Sequence, residues 1–455
     1  MMLSQLSHIV NGRRIGSDVA FDSVSIDTRT LNRGALFIAL TGPNFDGHDF
    51  VSAARDKGAK AAMISRQTGN SLPAVIVKNT RKALGELAAS WRAGFNIPLL
   101  AVTGSNGKTT VKEMLSSIFV QVCGGEKDKV LSTAGNLNND LGLPLTLLRL
   151  RDSHRYAVIE MGMNNPTELS NLTHIARPDV AVITNAAAAH LQGLRSVEGV
   201  AQAKAEIFSG VKAGGTAIIN DDDDYAALWR ERAGDLQIIG FSLQKGSDVT
   251  AEFELYNDHS IIFLKTPWGE ASCKLVLPGE HNIANALAAT AAAGSVGISL
   301  GDIVEGLEAW RGVAGRLQSK TVNGLYIIDD TYNANPASIQ AALEVLVMQP
   351  GKKIFVMGDM AELGEDSPSL HKQAGELAKE LGVDSCYTLG EQSVHAADAF
   401  GRQAQSFSAP GELLTALTKE LRANRGRPIN ILVKGSRAMK MERIIEQLDK
   451  GAVRD

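Results

Sequence analysis

The sequence predicts an α/β protein of three domains, a central doubly wound phosphate-loop domain flanked by a small N-terminal α/β domain and a C-terminal Rossmann-like α/β domain. Three observations carry this prediction. The chain has 455 residues, more than one ordinary core accommodates. Apolar runs of strand length alternate with helix-period segments along most of it. One strand-to-helix junction, "AVTGSNGKTT" at residues 101–110, has the layout of an anion-binding turn.

Composition narrows the class. The hydrophobic fraction is 44%, the charged fraction 21% and the net charge −4, which fits a globular protein and excludes a large basic face for nucleic acid. Cys123, Cys273 and Cys386 lie far apart with no C-x-x-C pair, pointing to a reducing compartment and away from structural zinc. The opening "MMLSQLSHIVNGRRIGSDVA" has no apolar signal core, and no later stretch reaches the roughly 20 apolar residues that span a bilayer. A soluble, cytoplasmic protein with no membrane partner is expected. No coiled-coil pattern or fixed-period repeat is present, so a monomer is expected.

Residues 1–84 hold the strand-like "ALFIAL", "AAMIS" and "PAVIVKN", with the helix-like "HDFVSAARDKGA" between them, and are read as the first domain. Residues 85–314 carry "PLLAVTG", "YAVIEMG" and "DVAVITN", continuous apolar runs of the kind that parallel sheets bury on both faces. Within that domain "TAEFELY", "SIIFLKTP" and "ASCKLVL" follow closely with turn signals, predicting a local antiparallel patch. Residues 315–455 give "GLYIIDD", "KKIFVMGD", "SCYTLG" and "INILVKGS", each followed by a helical pattern, and form the third domain. The run Asp221–Asp224 reads as a solvated turn without function.

The loop departs from the common G-x-x-x-x-G-K-[ST] spelling, because Val102 stands where the first glycine belongs and the glycines are Gly104 and Gly107. Its context nevertheless fits a phosphate cradle. "PLLAVTG" ends as a strand, Ser105 and Asn106 lie in the turn, and "KTTVKEMLSSIFVQV" continues as a helix. Lys108 supplies a point charge for phosphate, the Thr109 hydroxyl can ligate Mg²⁺, and Thr110 lies in the first helical turn.

Open α/β sheets bind ligands beyond the carboxyl ends of their strands, so residues ending the neighbouring strands are metal candidates. Glu160 closes "YAVIE" and His190 lies just past "DVAVITN", although a capping carboxylate and a satisfied loop histidine read equally well. In "SVEGVAQAKAEIFSGV", Val197, Val200, Ile207, Phe208 and Val211 form one helical stripe that contains Lys204. An inward amine must pair with an anion, snorkel to the surface, lose its proton, or react with CO₂ to give a carbamate that could itself bind Mg²⁺.

Beyond these single positions, "TGSNGKTT", "AGNLNNDLG", "AVIEMGMNNPTEL", "NAAAAHLQGLRSVEGVAQAKAEIF", "LPGEHNIANALAA", "AGRLQ", "IIDDTYNANPASI", "VMGDMAELG" and "LVKGSR" resemble the Mur ligase family in order and spacing. The resemblance runs from about residue 25 to 437. It implies an ATP-dependent amide ligase of peptidoglycan synthesis whose P-loop ATPase-like central domain is flanked by a UDP-sugar-binding domain and by a C-terminal domain that closes over ATP and binds the incoming dipeptide. It also implies two Mg²⁺ ions, held by Thr109, Glu160, His190 and a carbamylated Lys204, with Lys108, Lys204, His190 and Glu160 as the catalytic set. Asn282, Asn285, Arg316 and Asp330 then complete the ATP contacts made by Gly104–Thr110. Asp27, Thr28, Phe45, Asp46, His48, Asn136, Asn139, Asn333 and Asp359 are the implied substrate contacts. The implied partners are UDP-N-acetylmuramoyl-tripeptide and D-alanyl-D-alanine. The Asn-Pro-Arg element typical of the member adding a diamino acid is missing, which sets that member and folylpolyglutamate synthase behind as alternatives, together with a nucleotide-dependent binding module that has lost catalysis.

Overall fold

A computed structural model describes residues 1–67, 69, 72–189 and 191–450, and it is α/β throughout, with three sheets. The first unit contains α1 (Leu3–Ile9), β1 (Arg13–Ile15), β2 (Val24–Ser25), β3 (Leu36–Ile38), α2 (Val51–Asp56), β4 (Ala61–Ile64) and β5 (Ala74–Ile76). Its five strands run in the order β1-β5-β4-β3-β2, with only β1 antiparallel to its neighbour. Helix α3 (Thr80–Ala93) leaves this unit. It buries Ala83, Leu84 and Leu87 in the first core and Ala88 in the second, so one helix is shared by two cores.

The central sheet has nine strands in the order β14-β13-β12-β11-β10-β9-β6-β8-β7. In chain order the elements are β6 (Leu99–Thr103), α4 (Lys108–Val122), β7 (Val130–Ser132), α5 (Gly142–Leu147), β8 (Tyr156–Glu160), α6 (Glu168–Ala176), β9 (Val180–Ile183), α7 (Leu191–Leu194), α8 (Val197–Ala205), β10 (Thr216–Asn220), α9 (Ala226–Ala233) and β11 (Gln237–Ser242). Then follow β12 (Val249–Leu255), β13 (Ser260–Thr266), β14 (Gly269–Leu275), α10 (Glu280–Ser295) and α11 (Leu300–Ala309). Strands β6 to β12 are parallel, and β12, β13 and β14 pair antiparallel, as their turn-rich spacing predicts. The inner strands β6, β8 and β9 are apolar over nearly their whole length because helices cover both faces; Leu99 to Val102, Ala157 to Ile159 and Ala181 to Ile183 are fully buried. Asp221–Asp224 does form a turn, but not a free one. Asp221 pairs with Arg230, Asp222 accepts from Ser242 and the Leu243 amide, and Asp223 accepts from the Ala186 and Tyr225 amides.

The third sheet has the order β15-β16-β20-β17-β18-β19, parallel except for the β15–β16 pair. It is built from β15 (Gln318–Val322), β16 (Leu325–Asp330), α12 (Pro336–Val347), β17 (Lys352–Gly358), α13 (Ser367–Glu380), β18 (Ser385–Leu389), α14 (Val394–Phe400), β19 (Ala404–Phe407), α15 (Pro410–Ala423), β20 (Ile429–Lys434) and α16 (Glu442–Asp449). No helix among the described residues is long and apolar enough to cross a membrane.

Two contacts of the central unit have measurable consequences. Helices α4 and α11 cross at Gly306, whose carbonyl accepts from Ser117 Oγ at 2.7 Å and where a Cβ would stand 2.3 Å from Ile118 Cα. The expected cost of Gly306→Ala is about 1–3 kcal/mol of overpacking strain, read as a lower urea midpoint. At the start of α10, His281 has its Nε2 shut off from solvent without a hydrogen-bond partner among the described residues, and burial pushes its pKa down to about 4 against the opposing pull of Asp330. The folded state refuses a proton that the unfolded chain accepts near pH 6.5, so this residue's contribution is present above pH 6.5 and is lost as pH falls toward 4. Wild-type unfolding free energy should therefore fall more steeply over that window than that of His281→Leu, by up to about 1.4 kcal/mol per pH unit; parallel curves would refute the assignment.

Candidate active site

The glycine loop follows β6 at the switch point of the central sheet, flanked by the carboxyl ends of β8 and β9. Two positions demand glycine. Gly104 has φ 153°, and a Cβ there would lie 1.8 Å from Thr184 Oγ1; Gly107 has φ 82°, and a Cβ there would lie 2.2 Å from Asn285 Oδ1. The loop is tied to the segment after β9. Ser105 and Asn106 N–H donate to the Asn185 carbonyl and Oδ1, both at 2.9 Å, and Thr184 Oγ1 donates to the Asn106 carbonyl at 2.5 Å. Helix α4 starts at Lys108, so its first N–H groups, which have no intrahelical acceptors, open onto the loop.

Lys108 arches back over the turn, its Nζ donating to the Gly104 carbonyl at 2.6 Å and the Ser105 carbonyl at 3.3 Å. Burial holds its pKa below the ordinary value; Glu160 opposes that shift and Arg316 adds to it. A partly desolvated ammonium held, among the described residues, by carbonyl dipoles is short of negative charge, which a bound phosphate would supply. Beside it, Thr109 Oγ1 donates to Glu160 Oε2 at 2.7 Å, both residues buried. A hydroxyl and a carboxylate next to a phosphate cradle are hard oxygen donors suited to Mg²⁺, which keeps waters and phosphate oxygens in its shell rather than taking a full protein cage. In keeping with that, no group of three or more His, Cys, Asp and Glu side chains among the described residues is placed to hold a metal alone. His190 lies outside the described residues.

Lys204 points inward as its position in the apolar stripe predicts, with 2% of its surface exposed. Helix α8 ends at Ala205, and the chain tightens into a 3₁₀ turn over Glu206–Gly210. Ile207 and Phe208 are therefore buried through that turn, while Val197 and Val211 are only half-buried. The Lys204 ammonium makes no hydrogen bond or ion pair among the described residues. Burial, reinforced by repulsion from Lys108, drives its pKa well below the lysine range, with Asp223 pulling the other way.

Further groups close the site. Asn282 and Asn285 are buried on α10; Asn282 Nδ2 donates to the Pro278 carbonyl at 2.8 Å, a helix-start bond, whereas Asn285 abuts the loop at Gly107. Arg316 is no surface ion pair. Its guanidinium lies 4.3 Å over the Tyr332 ring, with Nε buried and without a hydrogen-bond partner among the described residues. Asp330 accepts from Lys434, a buried lysine ending β20, and from the Leu317 amide. Asn335 caps α12 through Oδ1 and reaches across to the glycine loop, its Nδ2 donating to Asn106 Oδ1 at 2.8 Å.

Other expected contacts hold structural posts. Asp359 accepts three backbone N–H bonds, from Glu391, Gln392 and Ser393, because it anchors the chain ahead of α14. Asn139 Oδ1 takes the Leu141 and Gly142 amides at the start of α5. Asn333 is exposed, and its Oδ1 accepts from the Ala334 amide. In the first unit, His48 is buried between Asp46 at Nδ1 (2.6 Å) and the Ser65 amide at Nε2 (2.9 Å), which fixes the Nδ1–H tautomer and engages both ring nitrogens. Asp46 is held below the usual carboxylate range by the His48 amide and ring and by Arg66, and Asp27 is lowered to about 2 by its hydrogen bond from Arg29. Thr28 is half-buried, and Phe45, 57% exposed, stands as a bare ring. Asn136 Oδ1 accepts from Asn138 Nδ2, and Asn138 in turn donates to Glu160 Oε1 at 2.7 Å.

Sequence reasoning missed Asn138, Asn335 and Lys434. Lys434 ends an apolar strand as Glu160 does, and Asn335 precedes Pro336 in the manner of a helix cap, so both carried a readable signal. Asn138 sits between two other asparagines and carried none.

Family models match in chain order: "Mur ligase family, catalytic domain" over residues 20–92, "Mur ligase middle domain" over 102–293 and "Mur ligase, glutamate ligase domain" over 315–437. The chain is 45% identical to the UDP-N-acetylmuramoyl-tripeptide–D-alanyl-D-alanine ligase of Escherichia coli (strain K12), covering 98% of each chain. It is 35% identical to the Bacillus subtilis (strain 168) ligase of the same name, covering 93% of this chain and 92% of that one. Among solved structures it superposes on MurF from Acinetobacter baumannii with a TM-score of 0.93 at 37% identity, covering 98% of each chain. The MurF ligase from Thermotoga maritima in complex with ADP gives a TM-score of 0.83 at 27% identity, covering 96% of this chain and 99% of that one. With near-complete coverage at these identities, and with the phosphate loop and strand-end carboxylate in place, the chain belongs to the Mur ligase family.

Proposed function

We propose that this chain is an ATP-dependent amide ligase that joins D-alanyl-D-alanine to the C-terminal carboxylate of UDP-N-acetylmuramoyl-tripeptide, the last cytoplasmic peptide addition to the peptidoglycan precursor. The observation that carries this reading is the full-length likeness to ligases named for those two substrates. The loop chemistry supports it independently, because a cradle with Lys108 and a Thr109–Glu160 pair suits phosphoryl transfer. Residues 1–84 are assigned to the UDP moiety, 85–314 to ATP, and 315–455 to closure over the nucleotide and to the dipeptide.

The reaction opposes two anions, the tripeptide carboxylate and the γ-phosphate. Lys108, freed from the loop carbonyls, offsets that charge, and the amides at the start of α4 hold the phosphates for in-line attack. Arg316, held over the Tyr332 ring, adds positive charge from the third unit. Two Mg²⁺ ions, when held by Thr109, Glu160, His190 and a carbamylated Lys204, would neutralise phosphate oxygens. Attack yields an acyl phosphate and ADP. The dipeptide amine then adds to the acyl carbon, and the tetrahedral species expels phosphate to leave the amide. The reaction needs no covalent enzyme intermediate, so no side-chain nucleophile is called for. Water must be kept from the acyl phosphate, and the Asn335–Asn106 bond supports a closing role for the third unit because it already joins that unit to the loop.

Phosphate release from ATP is expected to require both the UDP-tripeptide and D-alanyl-D-alanine, with the product heavier by one dipeptide less water; release without either substrate, or joining of another amine, would overturn the assignment. Lys204→Ala is expected to lose about 10²-fold or more in kcat and to recover in part with a small carboxylic acid in the buffer. An unmodified Lys204 in a density map of active enzyme kept in bicarbonate would count against the carbamate.

A further inference from the structure

Glu160 has both carboxylate oxygens engaged. Oε2 takes the Thr109 hydroxyl, and Oε1 takes Asn138 Nδ2 at 2.7 Å. Asn138 is itself fixed. Its carbonyl accepts the Gly162 amide at 2.9 Å, and its side chain packs so close to Gly162 that a Cβ there would stand 3.0 Å from Oδ1. Next in the chain, Asn139 Oδ1 takes the Leu141 and Gly142 amides that open α5. The following residue, Asp140, is forked by the Arg81 guanidinium from the first turn of α3, with Nη2 to Oδ1 at 2.6 Å. Beyond it, Leu141, Leu145 and Leu148 pack on the core of the first unit, which Leu84 and Leu87 of α3 help to build. The segment 136–140 is therefore seated on the first unit at one end and on Glu160 at the other.

Arg81 and Asp140 are 53% and 45% exposed, and an exposed ion pair adds little to stability. What the pair fixes is position. A carboxylate that can turn about its last torsion is a poor ligand, and a donor held on one oxygen aims the other at the cation; groups that orient a metal ligand in this way commonly matter 10–100-fold to affinity. Thr80, next to Arg81, donates its hydroxyl to the Ala39 carbonyl at 2.8 Å, where β3 runs out toward Phe45 and Asp46. The same helix end thus meets the strand end that leads to Phe45 and Asp46, two of the candidate UDP-substrate contacts.

We propose that residues 136–140 form a positioning strap, with Arg81 and Asp140 holding Asn138 and Asn138 setting the Glu160 carboxylate, so that the seating of the first unit governs how tightly the phosphate site holds its divalent cation. Arg81, Asp140 and Asn138 are positioning residues. The proposal rests on the reading of Thr109 and Glu160 as a metal pair.

The test is Mn²⁺ binding to the full chain in the presence of ADP, followed by electron paramagnetic resonance, which needs no turnover. Asn138→Ala should weaken binding about 10–100-fold and Arg81→Ala or Asp140→Ala about 3–10-fold, while Arg81→Ala added to Asn138→Ala should cost nothing more. The swapped pair Arg81→Asp with Asp140→Arg should recover most of the loss. Lys82→Ala, the next position on the same helix, should bind as wild type, and the unfolding midpoint of Arg81→Ala should not move. Wild-type affinity in Arg81→Ala and Asp140→Ala, or additive losses with Asn138→Ala, overturns the strap. If the wild-type chain with ADP binds no Mn²⁺, the metal reading of Thr109 and Glu160 fails and takes the strap with it, a result distinguishable from the first because the variants are then not needed to see it.

Discussion

The structure depends on one close approach: the backbone of the turn after β6 passes within contact distance of Thr184 on one side and Asn285 on the other. That approach brings three stretches of chain, 104–109, 184–187 and the start of α10, to one point at the carboxyl end of the parallel sheet. It explains why glycine stands at positions 104 and 107, why Asn185 spends both its carbonyl and its side chain on the loop, and why α10 is built largely of alanine. A bulkier helix could not lie so near the sheet. The shorter G-x-x-G-K-T-T spelling is thus a different fit of loop to neighbours with the same outcome, helix-start amides aimed at an anion.

Around this point the protein gathers cations that it does not fully neutralise. Lys108 has carbonyls for partners, Lys204 has no partner among the described residues, and Arg316 has an aromatic ring; only Lys434 has a direct carboxylate, that of Asp330. Such an arrangement is costly by itself and becomes favourable when a polyanion enters, which is the electrostatic condition for binding ATP and for bringing a second anion against it. The excess charge also acts across units, since Arg316 belongs to the third sheet's side of the chain and still depresses Lys108.

The fold was largely legible. Runs such as "PLLAVTG" and "INILVKGS" are apolar at every position because both faces of a parallel strand are covered, and the antiparallel patch betrayed itself by turn signals at short intervals. Alone, periodicity overreached in the helix-like "HDFVSAARDKGA", which opens inside a 3₁₀ turn over Gly47–Phe50, and again at Lys204. The stripe through Lys204 reads as a single helix, yet the chain tightens at Glu206, because apolar spacing does not distinguish an α-helical turn from a 3₁₀ turn over so few residues.

By itself the sequence determined the sheet-and-helix alternation, the glycine cradle and the inward turn of Lys204, since each depends on residues within one or two helical turns of one another. Only the tertiary structure decided that Asn138 rather than its neighbours reaches Glu160, that Asp140 meets Arg81 across 59 positions, that His48 and Asp359 hold backbone, and that Asn335 grips the phosphate loop. The physical reason is that a polar side chain's partner is chosen by whichever donor or acceptor packing brings within about 3 Å, and that proximity belongs to the folded chain as a whole rather than to any local pattern.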